Sequence, residues 1–149
     1  AGRFGQKTGA GWYRYEAGSR TPIPDPAVTA IIEQYRRKKG FTPREVSSKE
    51  IVERCIYALI NEGARILEDG IAQRSSDIDL VYLNGYGFPA YRGGPMFYAD
   101  QIGLHEVARA LTGIAALPGV DASIWAPAPL LTRLASQGNT FSGFKGSHP

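Results

Sequence analysis

Apolar residues recur at helical spacing along most of the chain, in runs separated by glycine or proline. The clearest run follows Ser47 and Glu50, which stand three apart as in a capping box. Val52, Cys55, Ile56, Leu59, Gly63, Ile66 and Leu67 then repeat every three or four positions up to Gly70. This spacing predicts a long amphipathic helix forming the spine of the core. It puts Cys55 on the buried stripe as a small hydrophobe rather than a nucleophile. Before it, Asp25 can cap and Pro26 can open a helix with Val28, Ile31, Ile32 and Tyr35 on one face, stopped by Gly40. After it, Ser75 or Ser76 caps a short helix through Tyr82. Residues 85–95 form a glycine-aromatic loop. Pro95 opens a helix ended by Gly103, residues 104–116 form another, and residues 127–134 a last one. Only residues 12–15 alternate as a strand does. Three prolines within residues 21–26 forbid a helix interior there and mark a linker. The expected fold is all-α, a compact bundle-like helical domain with a short non-helical N-terminal extension. Residues 1–20 make the extension, 21–25 the linker and 26–140 the helical domain. Residues 141–149 make a flexible tail, continuing a polar, glycine-rich stretch that starts at Gly138.

Composition sharpens this picture. Of 149 residues, 43% are hydrophobic and 21% charged, a balance that excludes wholesale disorder. No run approaches the roughly 18 apolar residues of a spanning helix, so no membrane partner is expected. One cysteine excludes a disulfide within the chain, and with two histidines it leaves no Cys/His zinc site. The net charge is +3. The basic run of residues 36–39 sits where a helix C-terminus favours cations, and no nucleic-acid partner is expected from it. The chain begins at Ala1 and its one methionine is Met96, so a piece of a larger protein is expected. No leader pattern is present, and residues 147–149 are not an SKL-type address. The expected compartment is therefore the cytoplasm.

Candidate chemistry is thin. His148 stands next to the last residue, and His105 lies near a helix start. Glu62, Glu68, Asp69, Asp77 and Asp79 fall where helix surfaces and first turns favour acids. No Ser-His-Asp or Cys-His set follows from spacing. Gly9-Ala10-Gly11 has Arg14 where a dinucleotide fingerprint needs its third glycine, and around Gly85-Tyr86-Gly87 a proline intervenes. No catalytic and no metal-binding residue is assigned. Lys7, between Gly5 and Gly9, reads on spacing alone as an exposed, solubilising lysine.

Several segments in order resemble one family. Residues 5–13, GQKTGAGWY, resemble the closing signature of the C-terminal domain of L-3-hydroxyacyl-CoA dehydrogenases. Residues 50–62, EIVERCIYALINE, resemble the opening helix of a second copy of that domain. Asp77-Ile78-Asp79, residues 85–89 and residues 92–96 match its middle, and residues 127–131 and 134–139 its end. The likeness is strongest to multifunctional β-oxidation enzymes, which join an enoyl-CoA hydratase half to a dehydrogenase half.

The resemblance implies that residues 1–20 close a first helical domain and that 26–140 form a second. It implies an acyl-CoA substrate and NAD held by a Rossmann domain upstream. It makes Lys7 a cofactor contact in the intact enzyme. The family's catalytic asparagine on the first helix is replaced here by Glu53, and a carboxylate would repel a developing oxyanion. The segment itself is therefore expected to be inactive and structural, pairing with the first helical domain. A homodimer of the segment and an associated thiolase subunit are further expected partners. The alternative is a stand-alone interaction module docking through residues 85–98.

Overall fold

The computed structural model of the protein describes residues 2–146. The chain forms two compact units, residues 1–45 and 46–149. Helix α1 (Pro26–Lys39) therefore goes with the residues before it, whereas the sequence pattern groups it with those after it.

The first unit is built on a glycine turn. The Gly5 N–H donates to the Ala10 carbonyl at 2.9 Å, and the Arg3 guanidinium donates twice to the Gly11 carbonyl. A Cβ on Gly11 would lie 2.7 Å from the Gly5 Cα, so this close approach requires glycine. Strand β1 (Tyr13–Arg14) pairs antiparallel with β2 (Ile23–Pro24), Tyr13 facing Pro24. The proline-rich stretch thus supplies a second strand, and a two-stranded ribbon is all edge, where proline is tolerated. Asp25 caps α1 by accepting from the Ala27 N–H, Pro26 occupies its first position, and Gly40 ends it with φ of 67°. None of the described residues of this unit is buried.

The second unit carries the core. Its helices are α2 (Ser48–Glu68), α3 (Ser75–Gly85), α4 (Pro95–Ile102), α5 (Leu104–Ala115), α6 (Ala122–Trp125) and α7 (Pro129–Ser136). As the spacing requires, Ser47 caps α2, its hydroxyl accepting from the Glu50 N–H at 3.1 Å. α2 packs against α4, α5 and α7. Between them lie Ile60, Leu67, Met96, Val107, Leu111 and Leu131, all at most 2% exposed. Among the described residues, no helix is long and apolar enough to cross a membrane.

Four expectations are corrected. The buried side of α2 is Tyr57, Ile60, Asn61, Gly63, Ala64 and Leu67; of the expected stripe Gly63 and Leu67 are buried and Ile56 and Ile66 pack on the core, but Val52 and Cys55 at its start are exposed. The helix has apolar residues on two sides, and periodicity alone cannot say which side meets the core. The N-cap of α3 is Arg74 rather than Ser75 or Ser76, because Asp77 reaches back and accepts from the Arg74 N–H at 3.0 Å. The last helix starts at Pro129, two residues later than expected, because the N–H of Ala128 is taken by a side chain of α2. Finally, Phe141 is 1% exposed, so the stretch beyond Gly138 includes a residue of the core.

Candidate functional site

The glycine-aromatic loop is organised by one carboxylate. Asp79, on α3, is 8% exposed and aims at the start of α4. Its Oδ1 accepts from the Met96 N–H at 2.7 Å and its Oδ2 from the Phe97 N–H at 3.1 Å. It therefore caps a helix that begins 16 residues further along the chain. Pro95 at the first position brings no N–H, so the two donors satisfied are those that need an acceptor. Burial pushes the Asp79 carboxyl above its ordinary range, against the pull of those two N–H groups. Gly94, with φ of 104°, leaves the space that the carboxylate fills, since a Cβ there would lie 2.3 Å from Oδ1. Around this clamp, the Tyr82 ring lies tilted against that of Tyr86 at 5.2 Å and meets Phe88 edge-on at 6.5 Å. The Arg92 guanidinium sits 5.3 Å from the Tyr91 ring and 5.1 Å from the Tyr98 ring. The C-terminal end of the loop, Gly93 to Pro95, is thus packed internally, while Tyr86 and Tyr91 stay exposed.

Four other side chains of this unit hold backbone from a distance, Arg65 among them by donating to the Ala126 carbonyl at 3.1 Å. Asn61, 1% exposed, donates to the Ala126 carbonyl at 2.9 Å and accepts from the Ala128 N–H at 2.7 Å. Glu68 accepts from the Leu130 N–H at 3.1 Å, so α2 docks the first turn of α7 at two points. Asp100 accepts from the Phe141 and Ser142 N–H groups, which seats Phe141.

The acids that stand out in the sequence are therefore dispersed rather than gathered. Glu68 and Asp79 are clamps, Asp77 serves its own helix end, and Glu62 faces Arg65 at 3.2 Å. His105 faces Glu106 at 3.5 Å on the surface, and His148 lies outside the described residues. Glu53 pairs with Lys49 at 3.6 Å. Among the described residues, no group of three or more His, Cys, Asp or Glu could hold a metal ion.

In the first unit, Lys7 lies on a single 3-10 turn, Gln6–Thr8, with its ammonium 5.7 Å from the exposed Phe4 ring. The N–H groups of Gly5, Gly9 and Gly11 are all bonded within the turn, so it offers no row of donors for a diphosphate. The residues present do not form a dinucleotide site. Lys7 presents a single point charge on this exposed turn. Beside the turn is an open depression of about 730 Å³ whose apolar lining includes Phe4, Trp12, Tyr13, Val28 and Ile31. Trp12 is 75% exposed.

The family model described as 3-hydroxyacyl-CoA dehydrogenase, C-terminal domain, matches residues 51–143. The chain belongs to this family. The match covers α2 to α7 and the Phe141 plug, the part of the chain with a buried core. The peroxisomal bifunctional enzyme of Danio rerio is 50% identical over 140 residues, 93% of this chain and 19% of that protein. The human peroxisomal bifunctional enzyme is 48% identical over 139 residues, again 93% and 19%. The peroxisomal fatty acid beta-oxidation multifunctional protein AIM1 of Arabidopsis thaliana is 37% identical over 151 residues, 99% and 20%. The chain thus spans about a fifth of the length of these relatives. Members of the family are generally NAD-dependent.

The expectation of a cytoplasmic protein is overturned, because these relatives are peroxisomal. It rests on a missing terminal address. Such an address is a short receptor-read signal that leaves no trace in a domain's core, and a segment a fifth as long as its relatives need not carry it.

Sequence reasoning does not find the clamp role of Asn61, Glu68, Asp79 and Asp100. Two of them carry a signal. Asp79 interrupts the apolar run Ile78 to Val81, and Asn61 follows Leu59-Ile60 on the buried side. A polar residue inside an apolar run has a partner somewhere, but nothing local says where.

Proposed function

We propose that this chain is the C-terminal part of the dehydrogenase half of a multifunctional β-oxidation enzyme, and that its own role is structural. The whole enzyme would hydrate a trans-2-enoyl-CoA and oxidise the resulting L-3-hydroxyacyl-CoA with NAD. In this reading residues 46–149 are a second helical domain that pairs with a first, and residues 1–45 include the closing segment of that first domain.

The observation that carries the proposal is the two-sided apolar character of α2. One side buries Ile60, Ala64 and Leu67, while Ile51 and Val52 on the helix remain 52% exposed beside an exposed Cys55. On α3, Leu80 and Val81 are each 57% exposed. These exposed apolar side chains supply the surface that the pairing would cover. The first unit supports the same reading, since Trp12 and Phe4 are displayed without a core beneath them. Lys7 then supplies its charge to the dinucleotide held by the upstream domain, where NAD provides the hydride acceptor.

The test is co-expression of residues 46–149 with the upstream part of the enzyme. The expected result is a soluble complex that Val52→Glu combined with Val81→Glu disrupts while leaving the helical circular dichroism of residues 46–149 intact. Robust oxidation of 3-hydroxyacyl-CoA, or reduction of acetoacetyl-CoA with NADH, by the 149-residue chain alone would overturn the structural role.

A further inference from the structure

The two units differ sharply in charge. Residues 1–45 carry nine Lys and Arg against four Asp and Glu, a formal +5. Residues 46–149 carry eight against ten, a formal −2. The whole-chain value of +3 hides this, and the excess is concentrated at the C-terminal end of α1. Arg36, Arg37, Lys38 and Lys39 occupy its last turn. Among the described residues only Arg37 of these four reaches a carboxylate, Glu33 at 3.6 Å. A helix C-terminus presents about half a negative charge, so four cations leave a strong positive surplus there.

The same end carries an open aromatic pair. Gly40 reverses the chain, so that the Phe41 N–H bonds back to the Arg36 carbonyl at 3.0 Å. This brings the Phe41 ring to 6.4 Å from that of Tyr35. Tyr35 is 55% and Phe41 42% exposed, and the Lys39 ammonium lies 5.9 Å from the Tyr35 ring. Cations next to exposed ring faces are the two elements that recognise a nucleoside phosphate. The rings stack on the base and the cations take the phosphates.

We propose that this end of α1, with Tyr35, Phe41, Arg36, Lys38 and Lys39, is a landing surface for the adenosine-phosphate end of acyl-CoA. The assignment of the ligand rests on the proposed function, whose substrate carries a 3′-phosphate and a diphosphate on one adenosine. Charge complementarity selects that end over the apolar acyl chain, and the field of a +5 unit raises the local concentration of such an anion. The site involves no chemical step. It holds the substrate loosely, through contacts that salt screens.

The test is an amide NMR titration of the 149-residue chain with 3′,5′-ADP, with adenosine as the uncharged control. Expected are shifts confined to residues around 35–41 and an affinity that falls about tenfold or more between roughly 20 and 200 mM salt. Arg36→Glu with Lys38→Glu should abolish these shifts. Tyr35→Ala should weaken them several-fold at unchanged salt dependence. Shifts elsewhere only, or none, would overturn the proposal. So would binding of a mixed DNA duplex as tight as that of 3′,5′-ADP and indifferent to Tyr35→Ala, which would show generic polyanion attraction. Pairing with the upstream domain needs no nucleotide and is read by co-purification, so failure of either idea leaves the other separately measurable.

Discussion

Replacing Gly94 with alanine should be among the most damaging single-methyl additions in the helical unit. Gly94 holds φ at 104°, a conformation an alanine adopts only under strain, at about 1–2 kcal/mol. The added Cβ would also lie 2.3–2.5 Å from three atoms of Asp79. Those atoms cannot step aside cheaply, because the carboxylate is buried and bonded to the Met96 and Phe97 N–H groups. Displacing it leaves a helix start without its acceptor, worth about 2–4 kcal/mol for two donors in a site this dry. The expected loss is about 3–6 kcal/mol, a large part of the stability of a domain this size. Gly87→Ala is the matched control. Gly87 has φ of 68°, but nothing lies within 4 Å of the place its Cβ would take, so only the conformational cost of about 1–2 kcal/mol applies. Urea unfolding followed by far-ultraviolet circular dichroism measures both. Gly94→Ala within about 1 kcal/mol of Gly87→Ala would refute the clamp.

Three further outcomes follow from the same packing. Burial raises the Asp79 carboxyl, so its contribution is full below the ordinary carboxylate range and is lost as pH rises through the folded value. The stability of the wild type relative to Asp79→Asn should therefore fall as pH rises from the ordinary carboxylate range upward, and a flat or rising difference in urea midpoints would contradict this. Asn61→Ala leaves the Ala128 N–H without its acceptor and should cost about 2–3 kcal/mol, with faster hydrogen exchange at the start of α7. Phe141→Ala should cost about 3–5 kcal/mol by opening a cavity, seen as a lowered thermal midpoint, whereas a neutral result would mean that the plug does not hold the core.

Helices are legible in the sequence wherever the signal is local. Asp25 with Pro26, Ser47 with Glu50 and the glycines at 40 and 103 act on backbone a few residues away, and the structure uses them. α6 escapes the pattern because four residues, Ala122–Trp125, are too few for a period to show. What cannot be read is every bond that spans tens of residues. Asn61 binds residues 65 and 67 positions away, and Asp100 binds Phe141 across 41. Phe141 reads as part of a loose tail for this reason. Its flanks are polar and glycine-rich, and its pocket is made by elements far away in the sequence. Family membership is legible from ordered segments, and the compartment is not.

The phase of α2 shows how this unit is built. A surface helix with one partner has one apolar stripe, and its period then points to the core. α2 has two. The stripe through Val52 and Cys55 is the more regular at the start of the helix, yet there it faces solvent. The true core side includes Tyr57 and Asn61, which a hydropathy pattern discounts. Asn61 cannot be exchanged for a hydrophobe without orphaning Ala128, so the core side carries a polar clamp, and the opposite side carries no buried polar device among the described residues. In the proposed pairing, this apolar, half-exposed face, free of internal hydrogen-bonding duty, is the one that meets the other surface. Substitutions along Val52 and Val81 should accordingly leave folding nearly untouched and act on association, the reverse of what substitutions at Asn61 and Leu67 should do.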